Sequence, residues 1–441
     1  MKRTLIQHAS FSLGVVVAGA LAFGAAPAMA QNIKLGVPTF LTGAGAPAFG
    51  IPAKKGAELM VQAINNGEVP APYNTVGIAG RKIDLILWDE AGGGTKQVTE
   101  LRNKVQKEGV DFVVGYISSG TCAAVARVAE ELKILTLLTV CGTPRVFEEL
   151  VESPKYLFRT MSHGTGNNSG AARYISMKYK DALKNGYIGL NQNYAWGQDS
   201  WRDFHLAMKT LSPNVKPAKK QQFPKLFSGQ YGSEISAILR AKQKVVHSSF
   251  WGGDLEAFIA QGNARGLFKR KTFIFTVGET VAYRLGKKMP QGHLIGTRGP
   301  YGMYAVDIDT PINNWWQKKF RETYNEQPSQ PTYQYAQGIL AAKYAYEKAM
   351  KGNGGKFPTT DQVIKALEGA KFTSIAGTVE MSLSNGHQAT TEDRWGVTTW
   401  SDEKNEMVVK DVVIFKGTCV MPPDGVKSVA WLEGGMKGAK C

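Results

Sequence analysis

The sequence predicts an α/β protein made of two similar units, and three observations carry that expectation. Short apolar runs alternate with amphipathic stretches along most of the 441 residues, the pattern of βαβ units around a parallel sheet. The rhythm breaks at Ser153-Pro154 and then restarts. Each block spans roughly 120–150 residues, the size of a domain.

In the first block, Ile33 to Val37 forms a strand, followed by a Gly- and Pro-rich loop from Pro38 to Pro52. Ala57, Met60, Val61 and Ile64 fall at i, i+3, i+4 and i+7, the apolar stripe of a helix that stops at Asn66-Gly67. Lys82 to Trp88 is the second strand, and Val98, Leu101 and Val105 mark a helix ending at Gly109. Val110 to Gly115 is the third strand, a helix covers 122–132, and Ile134 to Val140 is the fourth strand. In the second block, helices are expected over 167–180, 197–210, 233–241 and 254–265, with strands over 186–191, 245–250 and 271–277. Helices over 312–325, 333–350 and 360–369 follow, with fewer strands between them.

The first thirty residues read as an export signal. Lys2 and Arg3 precede an apolar stretch from Phe11 to Ala26, and Ala28-Met29-Ala30 supplies the small residues a signal peptidase accepts. The apolar run is broken by Gly14, Gly19, Gly24 and Pro27 and is shorter than the roughly 20 residues a membrane span needs. The mature chain is therefore expected to begin at Gln31 and to be periplasmic. Its formal charge is strongly positive (+17 for the full chain), but the Lys and Arg residues are dispersed in short clusters such as Lys269-Arg270-Lys271. With no nucleic-acid motif beside them, they read as a solvated surface, and no nucleic-acid partner is expected.

Four cysteines in an oxidising compartment permit two disulfides and three pairings. Cys419 with Cys441 is favoured, because it ties down a Gly- and Lys-rich tail. Cys122 with Cys141 stays open. A bridge needs the third and fourth strands to be neighbours, and two reduced or separately buried thiols fit as well.

Ligands of open parallel sheets bind beyond the carboxyl ends of the strands. After the first strand comes Phe49, and after the third Ser118-Ser119-Gly120-Thr121, just before a helix. Hydroxyls and free N–H groups at such a point suit a carboxylate or another anion, although they also serve as an ordinary helix cap. Val140-Cys141-Gly142-Thr143-Pro144 follows the fourth strand. In the second block, Trp196-Gly197, Trp251-Gly252 and Gly278-Glu279 each follow a strand. Two indoles and one carboxylate on a single rim describe an aromatic-walled pocket with a charged anchor, in which Trp196 and Trp251 sandwich the ligand opposite Ser119 and Phe49.

The same residues carry a family resemblance. Ile33-Lys34-Leu35-Gly36 with Thr42-Gly43 and Phe49-Gly50, then Gly56-Ala57-Glu58-Leu59, Gly115 with Ser118-Ser119, Phe158-Arg159-Thr160, Trp196-Gly197 and Gly278-Glu279 occur in order. Over residues 33–400 the chain resembles the periplasmic leucine/isoleucine/valine-binding proteins, the type I solute-binding proteins of ABC importers. The resemblance implies two Rossmann-like lobes joined by three crossovers, with residues 31–158 and 299–385 in one lobe and 159–298 and 386–441 in the other. It implies that Ser119 and neighbouring backbone hold a carboxylate, that Phe49, Trp196 and Trp251 stand where amino-acid binders often have tyrosine, and that Glu279 receives an α-amino group. Gly142 replaces a customary threonine, and Val140-Cys141 replaces small residues, so an aromatic acid fits as well as an amino acid. The implied partners are inner-membrane permease subunits with their ATPases, the implied state is a monomer, and no cofactor or metal is expected.

The residues bear on two other functions. A hydrolase is disfavoured by the lack of G-x-S-x-G, H-E-x-x-H or histidines at metal spacing. A ligand sensor that presents its bound state to a membrane receptor has the same sequence signature as a transport component.

Overall fold

The apolar runs form strands that assemble into two sheets. The computed structural model describes Met1 and residues 31–441; apart from Met1, the expected leader lies outside the described residues. The strands are β1 (Ile33–Thr39), β2 (Ile83–Asp89), β3 (Phe112–Gly115), β4 (Leu135–Leu138), β5 (Leu157–Arg159), β6 (Tyr187–Leu190) and β7 (Val245–Ser248). They continue with β8 (Thr272–Phe275), β9 (Leu294–Thr297), β10 (Lys371–Ser374), β11 (Gly377–Leu383), β12 (Gln388–Thr390), β13 (Asp393–Ser401) and β14 (Glu406–Phe415). The first sheet has the order β10-β11-β12-β5-β4-β3-β1-β2 and the second β14-β13-β9-β8-β7-β6.

Strands β1 to β5 are parallel, as are β6 to β9. Both sheets end in antiparallel pairings, β10-β11-β12 in the first, where β12 itself runs parallel to β5, and β9-β13-β14 in the second. Strands β5, β9 and β10 to β14 have no counterpart among the expected elements. They are short or antiparallel, and β11 buries alternate residues (Val379, Met381, Leu383) instead of forming a continuous apolar run.

Helices cover the sheets. The helix Gln330–Gly352 is buried along most of its length and packs against Ile51–Asn66. Gly56 permits that approach, since a Cβ there would stand 2.5 Å from the Thr332 carbonyl oxygen. The chain passes between sheets three times, after β5, after β9 and after β12. The last crossing lies beyond the expected boundary at residue 385, because Gln388–Thr390 pair with β5 and β11.

After β14 the tail packs on the second half through the helix Ser428–Glu433, whose Trp431 is buried. The Cys419–Cys441 bridge closes this tail. With the cysteines 22 positions apart, the chain-entropy estimate is about 3 kcal/mol of stability. Cys441→Ser is therefore expected to lower the unfolding free energy by about that amount relative to the oxidised protein. Equal denaturant midpoints for the two proteins would contradict this. No helix among the described residues is long and apolar enough to cross a membrane.

Candidate ligand-binding site

Where the parallel strands of the two sheets end, the two halves meet around a small cavity. Each loop that lines it follows a parallel strand. Phe49 comes after β1, Ile117 and Ser119 after β3, and Val140 and Gly142 after β4. From the second sheet come Tyr194 and Trp196 after β6, Trp251 after β7, Val277 after β8, and Arg298 after β9.

Ser119 opens the helix Ser119–Glu131. Its Oγ accepts the backbone N–H groups of Gly142 (3.1 Å) and Thr143 (3.2 Å), tying the loop after β4 to the loop after β3. The Cys122–Cys141 bridge fastens the same two loops, which are neighbours because β3 pairs with β4. Behind them the buried Glu90 carboxylate accepts the N–H groups of Ile117 and Ser118, each at 2.8 Å. Ser118 and Thr121 are engaged with Glu90 and do not line the cavity.

Trp196 donates its Nε1–H to the Ser249 carbonyl at 2.9 Å. A Cβ on Gly142 would lie 2.4 Å from the Trp196 ring and 2.7 Å from Arg298 Nη1, so only glycine admits both groups here. Trp251 donates to the Tyr194 hydroxyl at 2.7 Å and is gripped by Phe49 and Phe227, with ring centres 5.2 and 5.1 Å away. The halves are also tied by Thr143 Oγ1 donating to Asp199 Oδ2 at 2.6 Å and by Gly253 N–H donating to the Ala44 carbonyl at 2.8 Å.

Arg298 had no signal among the expected site residues. Its guanidinium carbon lies 5.1 Å from the centre of the Trp196 ring, and Nη2 donates to the Val140 carbonyl. Nε and Nη1 have no protein partner among the described residues. Burial lowers its pKa to about 10, which leaves it charged at neutral pH. The one sequence cue was a cation directly after a strand, in Thr297-Arg298-Gly299-Pro300.

Glu279 is the main departure from the expected site. It lies outside the cavity lining, buried against Gly302, and accepts the N–H of Gln330 at 3.0 Å. It opens the helix Glu279–Leu285, which turns it away from the rim. Burial pushes its pKa up to about 8, and burial does the same to Glu90. For both groups the folded pKa is above the ordinary carboxylate value. Their contribution to stability is therefore fully present below about pH 4.5 and lost as pH rises through about 8. Glu279→Gln is expected to flatten the fall in stability between about pH 5 and pH 9, read by denaturant unfolding. An unchanged slope would contradict this placement of the carboxylate.

The cavity thus offers donors and apolar walls. Arg298 Nε and Nη1, the Ser119 hydroxyl and the Tyr194 hydroxyl surround it, and no carboxylate lines it. Two α/β halves closing on such a cavity at their strand ends form a two-lobed small-molecule-binding protein.

Comparison with known proteins agrees with this class. A family model described as periplasmic binding protein matches residues 32–404. The Leu/Ile/Val-binding protein homolog 1 of Brucella suis biovar 1 (strain 1330) is 26% identical over 383 residues, covering 86% of this chain and 91% of that protein. Among solved structures, a solute-binding protein of an ABC transporter from Rhodopseudomonas palustris BisB5, in complex with 3,4-dihydroxybenzoic acid, superposes with a TM-score of 0.72 at 17% identity. That match covers 88% of this chain and 98% of the other. A leucine-, isoleucine-, valine-, threonine- and alanine-binding protein from Brucella ovis, in a closed conformation, gives a TM-score of 0.70 at 17% identity, covering 89% and 97%. The chain belongs to the periplasmic binding protein family.

Proposed function

We propose that this protein captures a small carboxylate with a flat or branched apolar body and delivers it to the permease of an ABC importer. The observation that carries the proposal is the Arg298 guanidinium, buried in the cavity with two donors that no atom of the described residues accepts. A buried cation is costly unless an anion and its hydrogen bonds compensate it, and a carboxylate matches the fork of guanidinium donors. Ser119 and Tyr194 supply further donors from opposite lobes, so binding of the anion holds the lobes together. Phe49, Trp196 and Trp251 form the walls against which the ligand's apolar body packs. The resemblance of the fold to a structure in complex with an aromatic acid, and to one named for binding leucine, isoleucine and valine, supports the same ligand class. Export to the periplasm and association with permease and ATPase subunits belong to this proposal.

A thermal-shift and calorimetry panel of benzoate, leucine, benzamide and leucinamide tests it. The two carboxylates are expected to stabilise the protein, by about 2.7 kcal/mol at a hundredfold excess over Kd, and the two amides to do little. Amides that bind as tightly as the acids would overturn the proposal. The order of benzoate and leucine then distinguishes a flat body from a branched one.

A further inference from the structure

A second cavity, of about 190 Å³, lies on the side of the crossovers, away from the cleft lining. Its walls come from three parts of the chain. Pro144 to Glu152 stand on one side, Leu383 to Gln388 on another, and Pro422 to Lys427 of the disulfide-closed tail form the third. Arg159, His163 and Gln388 are its buried polar residues, at the points where the chain leaves or approaches the first sheet.

Arg159 is fully buried. Its Nη1 donates to the carbonyls of Cys141 (3.2 Å) and Thr143 (2.7 Å), while Nε and Nη2 have no partner among the described residues. His163 Nδ1 accepts the N–H of Thr165 at 3.3 Å, so its proton sits on Nε2. Burial and nearby arginines hold His163 neutral. The nearest carboxylate, Glu148, is occupied by Ser428, whose N–H and hydroxyl it accepts at 2.9 and 2.6 Å. At the rim, Lys427 pairs with Glu152 at 2.8 Å. The buried end of the cavity therefore holds a permanent cation with two free donors, and the carboxylates around it are already engaged.

We infer that this hinge-side cavity is a second binding site, which takes a small carboxylate on Arg159 independently of the cleft. The carboxylate accepts from Nε and Nη2 in the paired geometry that guanidinium favours over a single point contact. The site shares a structural member with the cleft, because the loop 140–143 is held from one side by Arg298 and from the other by Arg159. The rim residues Val426 and Lys427 are exposed, which gives a small ion a path to the cavity without opening of the lobes.

The test is a saturation-transfer NMR titration with acetate on the full chain. Arg298→Met is the background, so that the cleft anion site is removed and the result does not depend on the proposed transport ligand. Saturable binding with Kd on the order of 1 mM is expected there. It is expected to weaken at least tenfold when Arg159→Met is added, and equally when Val426→Trp is added to fill the mouth. Val426 is a surface residue, so the second double variant decides the matter if the first fails to fold. Absence of saturable acetate binding in Arg298→Met would overturn the inference, as would undiminished binding in the Val426→Trp double variant.

Discussion

Replacing Arg298 with methionine is expected to abolish high-affinity capture while leaving the empty protein as stable as before. Truncating one partner of a buried charge pair costs about 2–5 kcal/mol, at least about 30-fold in affinity. In the unliganded chain the same change removes a buried cation that has no anionic partner, and an apolar isostere at such a site is often neutral or stabilising. The single bond lost, from Nη2 to the Val140 carbonyl, offsets little of that gain. Calorimetry with benzoate and leucine, paired with melting curves, separates the two effects. Retained affinity for both acids would remove the central support for the proposed function. A collapsed melting temperature would instead show Arg298 to be a structural residue.

Trp251→Ala is expected to cost both binding and stability. Phe40 and Phe49 reach the indole from the loop after β1, with ring centres at 5.8 and 5.2 Å, and Phe227 from the other half at 5.1 Å. The ring is only 3% exposed. Truncating a packed tryptophan costs ~3–5 kcal/mol of folding stability, and removing an aromatic anchor from a pocket costs about 2 kcal/mol or more of binding. The rings that grip Trp251 come from both lobes, so the variant should also leave the lobes further apart at saturating ligand. A larger radius of gyration in X-ray scattering reads that change directly. Wild-type affinity with a lowered melting temperature would show that the indole serves only the core.

The alternation of strands and helices was legible because each parallel strand is a continuous apolar run and each covering helix a single stripe, as Ala57, Met60, Val61 and Ile64 show. Strands β10 to β14 were not, since β11 interleaves polar with buried residues and the strands that join the parallel sheets, β12 and β13, pair with β5 and β9, which lie far away in sequence. At the cavity, glycine beside an aromatic residue after a strand was a usable signal, and Phe49, Ser119, Val140, Gly142, Trp196 and Trp251 do line it. Residue type alone misled at Glu279, where one turn of helix decides whether a carboxylate faces the rim or the interior. Arg298 carried no distinguishing neighbours. Its importance comes from what surrounds it in space, which sequence order does not display. The Cys122–Cys141 pairing depended on the adjacency of β3 and β4 and became definite only with the sheet order.

The order in which the chain builds its first sheet has a consequence for synthesis. Strands β1 to β5 are complete by residue 159, yet the long helix that covers them and the strands that close their edge come from residues 330–390. Between these stages, β5 has an open edge and the face that will receive Gln330–Gly352 is bare. Long-range pairings of this kind delay folding until most of the chain is available. A ribosome-bound fragment ending near residue 320 should therefore be readily cut by proteases throughout its first 160 residues, and resistance should rise once β12 has emerged. A protein assembled in this way stays unfolded for most of its own translation, which would suit the export included in the proposed function.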